Sequence, residues 1–512
     1  MLAKISMSSS LFARKPAHLL LKEMGAETRL RPVLGPLHLT SLGVGAIIGA
    51  GIFVVIGLVA KDKAGAATML SFVVAGFACA FAALCYAEFA SMVPVAGSAY
   101  TYAYATLGEL FAWIIGWDLL LEYGVGAASV AHGWSHYLTD FLRLLGIALP
   151  QAFTNAPFDF DPSNGRFIPT GTVIDLPALL ISALLTAVLV IGIRISVTFN
   201  AFMVAIKLAV VFLIIAVGVF YIDPRNWQPF APYGYSGISF FGKTIMGQHG
   251  AGGEPLGVMA GAAIVFFAYI GFDSVSTHAE EARNPSRDVP IGIVASLTLC
   301  TVLYIAVAAV LTGMVPYDKI DIDAPLSQAF SRVGLPWAHF LISVGALTGI
   351  TSVLMVLMLS QPRIMLAMAR DGLLPAAFFG SVHARFRTPW KSTVLTGSVV
   401  GLMGAFLPLR MLAELVNIGT LLAFVIVCAA VLVMRYRHPE IKRPFRCPFV
   451  PLFPLLGIAF CLLLMFSLPA ENWFRLIGWL LLGIAIYFGY GKHHSVLARM
   501  RDRKIPAGSR PA

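Results

Sequence analysis

The sequence predicts an all-α integral membrane protein of twelve transmembrane helices, laid out as a five-plus-five inverted repeat whose first and sixth helices are discontinuous. Three observations carry this expectation. The 512-residue chain is 58% hydrophobic and 12% charged, with a mean hydropathy of +0.84, which leaves too little polar surface to cover a soluble globule. Apolar runs of about 20 residues, enough to cross the hydrocarbon at ~1.5 Å per residue, recur along nearly the whole length. Two of these runs are interrupted by glycine at matching depths.

The runs fall at 37–60, 69–94, 107–137, 176–193 and 196–222, then at 256–276, 289–315, 337–369, 392–406 and 412–436, and finally at 450–468 and 472–490. The first five make one repeat (37–222), the next five the other (256–436), and the last two stand outside both. Residues 1–36 carry scattered Lys and Arg but no long apolar core with a small-residue cleavage site, so they read as a polar tail and not as a removable signal peptide. Residues 491–512 form a second, basic tail. Cytoplasmic segments hold Lys and Arg in excess. With the amino terminus inside, 25 of the 36 lie on the cytoplasmic side, 10 on the other, and Lys207 within the membrane. Both termini are therefore expected in the cytoplasm. The formal charge of +11 is mostly a topology signal; without interleaved aromatic platforms it argues against nucleic acid as a partner. Five of the six cysteines lie in the spans and Cys447 in a loop, with no metal spacing and no external disulfide pair.

The first span contains GVGAIIGAGIF, residues 43–53, with four glycines. Close packing against a neighbour is the ordinary role of glycine in a membrane helix. The sixth span, however, contains FFAYIGFDS, residues 266–274, with Gly271 and Asp273; Ile47 is 10 residues into its span and Phe267 is 11 into its own. Paired interruptions in two halves are what an inverted repeat built around a mid-depth site predicts. Unwound backbone at that depth is tolerated only where it lines a cavity or is buried in protein. Such a cavity suits a small zwitterion, because a half-helix start offers free N–H groups to a carboxylate and exposed carbonyls accept from an ammonium.

GAIIGAGIF, CYAEFASMVPVAGSAYTY, WDLLLEYGVGAASVAHGWS, FFAYIGFD followed by EEARNPSRDVPIGI, and RIMLAMARDGLLP together resemble the amino acid–polyamine–organocation transporter superfamily, and within it the bacterial cationic amino acid transporter branch. The similarity spans roughly residues 36–490. It implies the five-plus-five inverted repeat (the LeuT-like fold) with two added helices, alternating access, and a place in the cell's inner (plasma) membrane. Carried over by position, it sets the substrate carboxylate near the backbone of Gly49, Ala50 and Gly51, and the α-ammonium near the carbonyls of Ile47, Phe267, Ala268 and Ile270. Related chains often carry Ser or Thr where Ala50 stands, so a hydroxyl contact is missing here.

Lys207 sits about ten residues from either end of the fifth span, too deep for its stem to snorkel easily to the headgroups. Within the resembled branch such a lysine takes the place of a sodium ion and donates to the unwound carbonyls of the first helix, which disfavours sodium coupling. Glu122 is similarly deep in the third span, where charging a carboxyl is costly; that makes it a candidate proton carrier. Asp118 lies one turn earlier on the same face, and a static role suits it better. Asp273 follows the second interruption and is expected to cap the following half-helix, with substrate sensing as the other reading. Glu88, Glu280, Glu281, Arg283, Arg287 and Asp288 are expected in surface pairs at the cytoplasmic edge, worth under about 1 kcal/mol each. Tyr100, Tyr102 and Tyr104 read as an interfacial belt. His132 and His136 have helical metal-ligand spacing, but no third ligand is apparent and no metal or cofactor is expected.

The resemblance implies a secondary active transporter, proton-coupled for amino acid import, with the amino acid, protons and the bilayer as partners. The sequence decides neither an accessory membrane subunit nor a homodimer. An obligate amino acid/amine exchanger and a non-transporting amino acid sensor are the alternatives. An enzyme is not expected, since no nucleotide loop, nucleophile elbow or metal triad is in context. The substrate side chain is expected toward the third, sixth, eighth and tenth spans, with Ile350, Thr351, and Tyr269 or Phe267 as walls. Ile350 would limit the pocket to small neutral amino acids, whereas a Lys or Arg substrate would need a carboxylate at its far end.

Overall fold

A computed structural model describes residues 13–15, 34–92, 98–161, 166–191, 194–250, 253–279, 282–322, 324–386, 388–437 and 439–504. Most of the N-terminal tail, the last eight residues, and the loop acids Glu280 and Glu281 lie outside them. Among the described residues, eight helices are long and apolar enough to cross a bilayer, and shorter apolar helices occupy Pro36–Ile47, Leu176–Ile191 and Leu452–Ser467.

In chain order the helices that matter here are α1 (Pro36–Ile47), α2 (Ile56–Val59, between π-helical turns Gly51–Val55 and Ala60–Ala64), α3 (Thr68–Met92), α4 (Ser98–Thr106) and α5 (Glu109–Leu144). They continue with α6 (Leu176–Ile191), α7 (Arg194–Gly218), α8 (Val258–Val265), α9 (Ser274–Thr277), α10 (Pro285–Met314) and α11 (Pro325–Arg332). The chain closes with α12 (Pro336–Arg370), α13 (Trp390–Phe406), α14 (Leu409–Arg437), α15 (Leu452–Ser467) and α16 (Ala470–Ile486).

Proline places several starts. Pro36, Pro285, Pro325 and Pro336 stand in the first turn of their helices, where a missing N–H costs nothing. Pro362 is inside α12, where it removes one rung of the hydrogen-bond ladder. The connections α5–α6 and α7–α8 carry small antiparallel hairpins, β1–β2 (Phe158–Asp161 with Arg166–Pro169) and β3–β4 (Ile238–Phe240 with Lys243–Met246), which the apolar periodicity does not reveal.

Packing separates two groups of helices. α10 lies against α1 and α3, and α8 against α3; α12 lies against α5, while α6 and α13 pack on each other and on α5. The stretch Val258–Thr277 is the most enclosed of the long apolar segments and Ala470–Met500 the most peripheral. At one end of the bundle both chain ends meet. Lys15 N–H donates to Tyr104 O (3.1 Å) and Glu109 N–H to Ala13 O (3.0 Å), while Val496 N–H donates to Asp371 O (2.9 Å).

The tyrosines of α4 are not an interfacial belt. All three are buried: Tyr100 donates to Asp371 (2.6 Å), Tyr104 to Glu109 (2.8 Å), and Tyr102 stacks on Phe89. A buried phenol needs an acceptor for its hydroxyl, and in Tyr100 and Tyr104 that acceptor is an acid at the helix ends. Glu88 is likewise no surface pair. It is fully buried and takes two hydrogen bonds from Arg435 (2.8 and 2.7 Å) and one from the Cys447 amide (2.8 Å).

Candidate functional site

The helical ladder stops where the glycines of the first span stand. α1 ends at Ile47, and Ile48 is extended (φ −74°, ψ 103°). The next backbone bonds are Ile52 N–H and Phe53 N–H to Gly49 O, each 3.2 Å. Among the described residues the N–H groups of Gly49, Ala50 and Gly51 have no hydrogen-bond partner. These are the orphan donors of a half-helix start, with the positive end of its dipole behind them.

The second interruption faces the first. α8 gives way to a 3-10 turn over Phe266–Tyr269, Ile270 is extended, and Gly271 takes φ +116°, a conformation that side chains disfavour. A Cβ on Gly271 would meet Ala46 O at 2.8 Å, and one on Gly51 would collide with Ala268. Both glycines are thus required for the two broken helices to touch.

Neighbouring helices hold the freed carbonyls. Tyr304 on α10 places its hydroxyl 2.8 Å from Ile47 O and 2.9 Å from Ala268 O. One hydroxyl proton satisfies one acceptor at a time. Asn417 on α14 donates to Ala263 O at 2.8 Å. Lys207, fully buried on α7, donates to Gly45 O (2.6 Å), Ile48 O (2.9 Å) and Ser352 Oγ (2.8 Å). These three acceptors use all three ammonium protons, and two of them belong to the rupture in the first helix.

The carboxyl groups lie on another side. Glu122 and Asp118 on α5 are buried, and among the described residues none of their four oxygens accepts a well-aligned hydrogen bond, although the Thr420 hydroxyl of α14 lies beside Glu122. Asp118 points at Gly419 of α14, and Glu122 has Asp118 and Asp273 as its charged neighbours. Asp273 occupies the N-cap position of α9, but its side chain makes no capping bond. It accepts instead from Tyr123 (2.6 Å), which ties α5 to the second break and displaces the expected capping role.

The expected pocket walls separate by position. Phe267 and Ile270 each retain 6% exposure, whereas Tyr269 and Ile350 are fully buried. Tyr269 turns to α3 and donates to Phe72 O (2.7 Å). Thr351 accepts from the indole of Trp134 (2.9 Å). Facing the break from α12 are Ser352, bonded to Lys207, and Val353, which a Cβ on Gly49 would meet at 2.6 Å.

Sequence reasoning missed Tyr304, Ser352, Tyr123 and Asn417. Tyr304 had a readable signal, a lone phenol deep in the apolar run LCTVLYIAVAAV. Such a hydroxyl needs a partner in the membrane interior.

The family model described as amino acid permease matches residues 34–486. The methylthioribose transporter of Bacillus subtilis (strain 168) is 45% identical over 489 residues, covering 96% of this chain and 99% of the relative. The branched-chain amino acid permease BcaP of the same organism is 45% identical over 492 residues, 96% of this chain and 100% of the relative. The vacuolar cationic amino acid transporter 4 of Arabidopsis thaliana is 39% identical over 414 residues, 80% of this chain and 64% of the relative. Relatives of this kind are permeases and transporters, not enzymes. With two ruptured, apposed helices and a family match running from α1 to α16, the chain belongs to the amino acid permease family of the amino acid–polyamine–organocation superfamily.

Proposed function

We propose that the protein imports amino acids by alternating access, driven by protons, across the plasma membrane with both termini in the cytoplasm. The observation that carries the reading is the set of unpaired N–H groups at Gly49, Ala50 and Gly51 beside the second break, where Gly51 approaches Ala268; the carbonyls of Phe267, Ala268 and Ile270 are the proposed acceptors. A zwitterion's carboxylate is suited to the first and its ammonium to the second. Ten spans in two inverted repeats, 37–222 and 256–436, with two more beyond them, agree with two breaks that meet face to face. The group α1, α3, α8, α9 and α10 would rock against α5, α6, α12 and α13.

Lys207 leaves no room for a sodium ion among the acceptors it occupies. Glu122 is the proposed proton carrier, because a buried carboxyl without a well-aligned donor is costly to keep ionised. The side chains that keep some exposure at the break, Phe267, Ile270 and Val353, are apolar. They favour a neutral aliphatic amino acid over a cationic one; the name of the 45% identical branched-chain permease agrees. The test is uptake into proteoliposomes with an inward proton gradient. Accumulation of leucine, isoleucine or valine into empty vesicles supports the reading, and uptake only into preloaded vesicles replaces symport by exchange.

A further inference from the structure

His132 and His136 lie one turn apart on α5, a spacing that by itself means little. The fold brings a third group to them from elsewhere in the chain. Asp175, the residue before α6, approaches so that one ligand atom from each of the three lies within 4.8 Å of the others, and the imidazole rings stand 4.6 Å apart. Asp175 is fully buried and His132 is 2% exposed, while His136 is half-buried and gives the cluster access to solvent or lipid.

The carboxylate is held in one pose. Its Oδ1 accepts from the Ser135 hydroxyl and from Ala178 N–H (3.1 Å), and the Asp175 amide donates to Ala405 O (3.0 Å). Its Oδ2 is buried and accepts no hydrogen bond, although His132 Nδ1 stands 3.1 Å away; the approach has the separation of an ion pair without the alignment of a hydrogen bond. Two ligands bound to one tetrahedral zinc at ~2.0 Å stand roughly 3.3 Å apart. His132 Nδ1 is also 3.2 Å from Gly404 O, a carbonyl to which the ring donates only in the metal-free tautomer, because a ligating Nδ1 gives up its proton.

We propose that His132, His136 and Asp175 form a three-ligand site for a transition-metal dication of the zinc class, its fourth position open on the side of His136. Two imidazoles and one carboxylate suit zinc, copper or nickel and not magnesium or calcium. A bound ion would pin α5 to the start of α6 and, through the Asp175 amide on Ala405 O, to the end of α13. The site is built from α5, the start of α6 and the end of α13, and needs no assumption about transport.

The test uses the tag-free full-length protein in detergent, stripped with a chelator and titrated with zinc chloride, with bound metal and thermal midpoint both read. The expected result is one zinc per chain at micromolar affinity or tighter, with a raised midpoint. His136→Ala, which leaves the Asp175 contacts to α6 intact, should weaken binding at least tenfold, and His249→Ala, at an exposed histidine of the short strand Gln248–His249, should not. Asp175→Asn should behave like His136→Ala, and misfolding of that variant leaves the His136 comparison decisive. Absence of stoichiometric zinc in the unaltered protein, or equal binding by His136→Ala, would overturn the proposal and leave the trio an ion pair.

Discussion

The Tyr304 hydroxyl lies 2.8 Å from Ile47 O and 2.9 Å from Ala268 O, so a single side chain touches both ruptured helices. Removing it strips the one donor that these two carbonyls share, and an unsatisfied buried polar group costs ~1–3 kcal/mol. Tyr304→Phe should lower the thermal midpoint in detergent and slow uptake. An unchanged midpoint would mean that those carbonyls do not depend on the phenol.

Lys207 fills three acceptors at once, and no neutral side chain reproduces that. Lys207→Met is expected to abolish uptake driven by a pH gradient. Lys207→Arg should fail as well, because a planar guanidinium cannot replace a compact ammonium in this pocket. Retained transport in either variant would remove the lysine from the mechanism.

Glu88 is a buried charge with two counter-ions, Arg435 from α14 and Arg443 from the segment after it. Breaking a buried pair by removing one partner typically costs on the order of 3–5 kcal/mol; the Arg435 side chain is 23% exposed, which moves the expectation toward the lower end. Glu88→Gln should reduce the amount of folded protein recovered from membranes and its thermal midpoint, both measurable by size-exclusion profiles after heating.

A methyl group on Gly271 meets the Ala46 carbonyl, and the residue's φ of +116° opposes any side chain. Backbone strain of this kind costs of order 1–3 kcal/mol. Gly271→Ala should push the two breaks apart and lower substrate affinity at least tenfold, read by competition uptake. Gly35→Ala, where a Cβ meets nothing within 4 Å, should change little.

The helices and both breaks were legible because apolar run length and glycine punctuation are local properties of the chain. Lys207 was legible for a related reason: a cation at mid-depth must have partners, and unwound carbonyls are the acceptors such a membrane interior offers. Which atoms meet across the fold was not legible. Asp273 follows a break and so reads as a cap, but its oxygen answers to Tyr123, 150 positions away. The α4 tyrosines and Glu88 read as surface groups because nothing nearby in sequence announces Asp371 or Arg435 as partners. Thr351 and Ser352 are adjacent on α12, and only the helix rotation sends the second to Lys207 and the first to Trp134.

The most direct measurement of the central claim is a thermal-shift comparison of free amino acids with analogues blocked at one end. A ligand bound only by the folded protein stabilises it by about 2.7 kcal/mol at a hundredfold excess over its Kd. Free leucine, isoleucine or valine should raise the midpoint, while their N-acetyl and methyl ester forms should not, because each loses one of the charged ends that the proposed site would hold. Equal stabilisation by free and blocked forms would contradict the account.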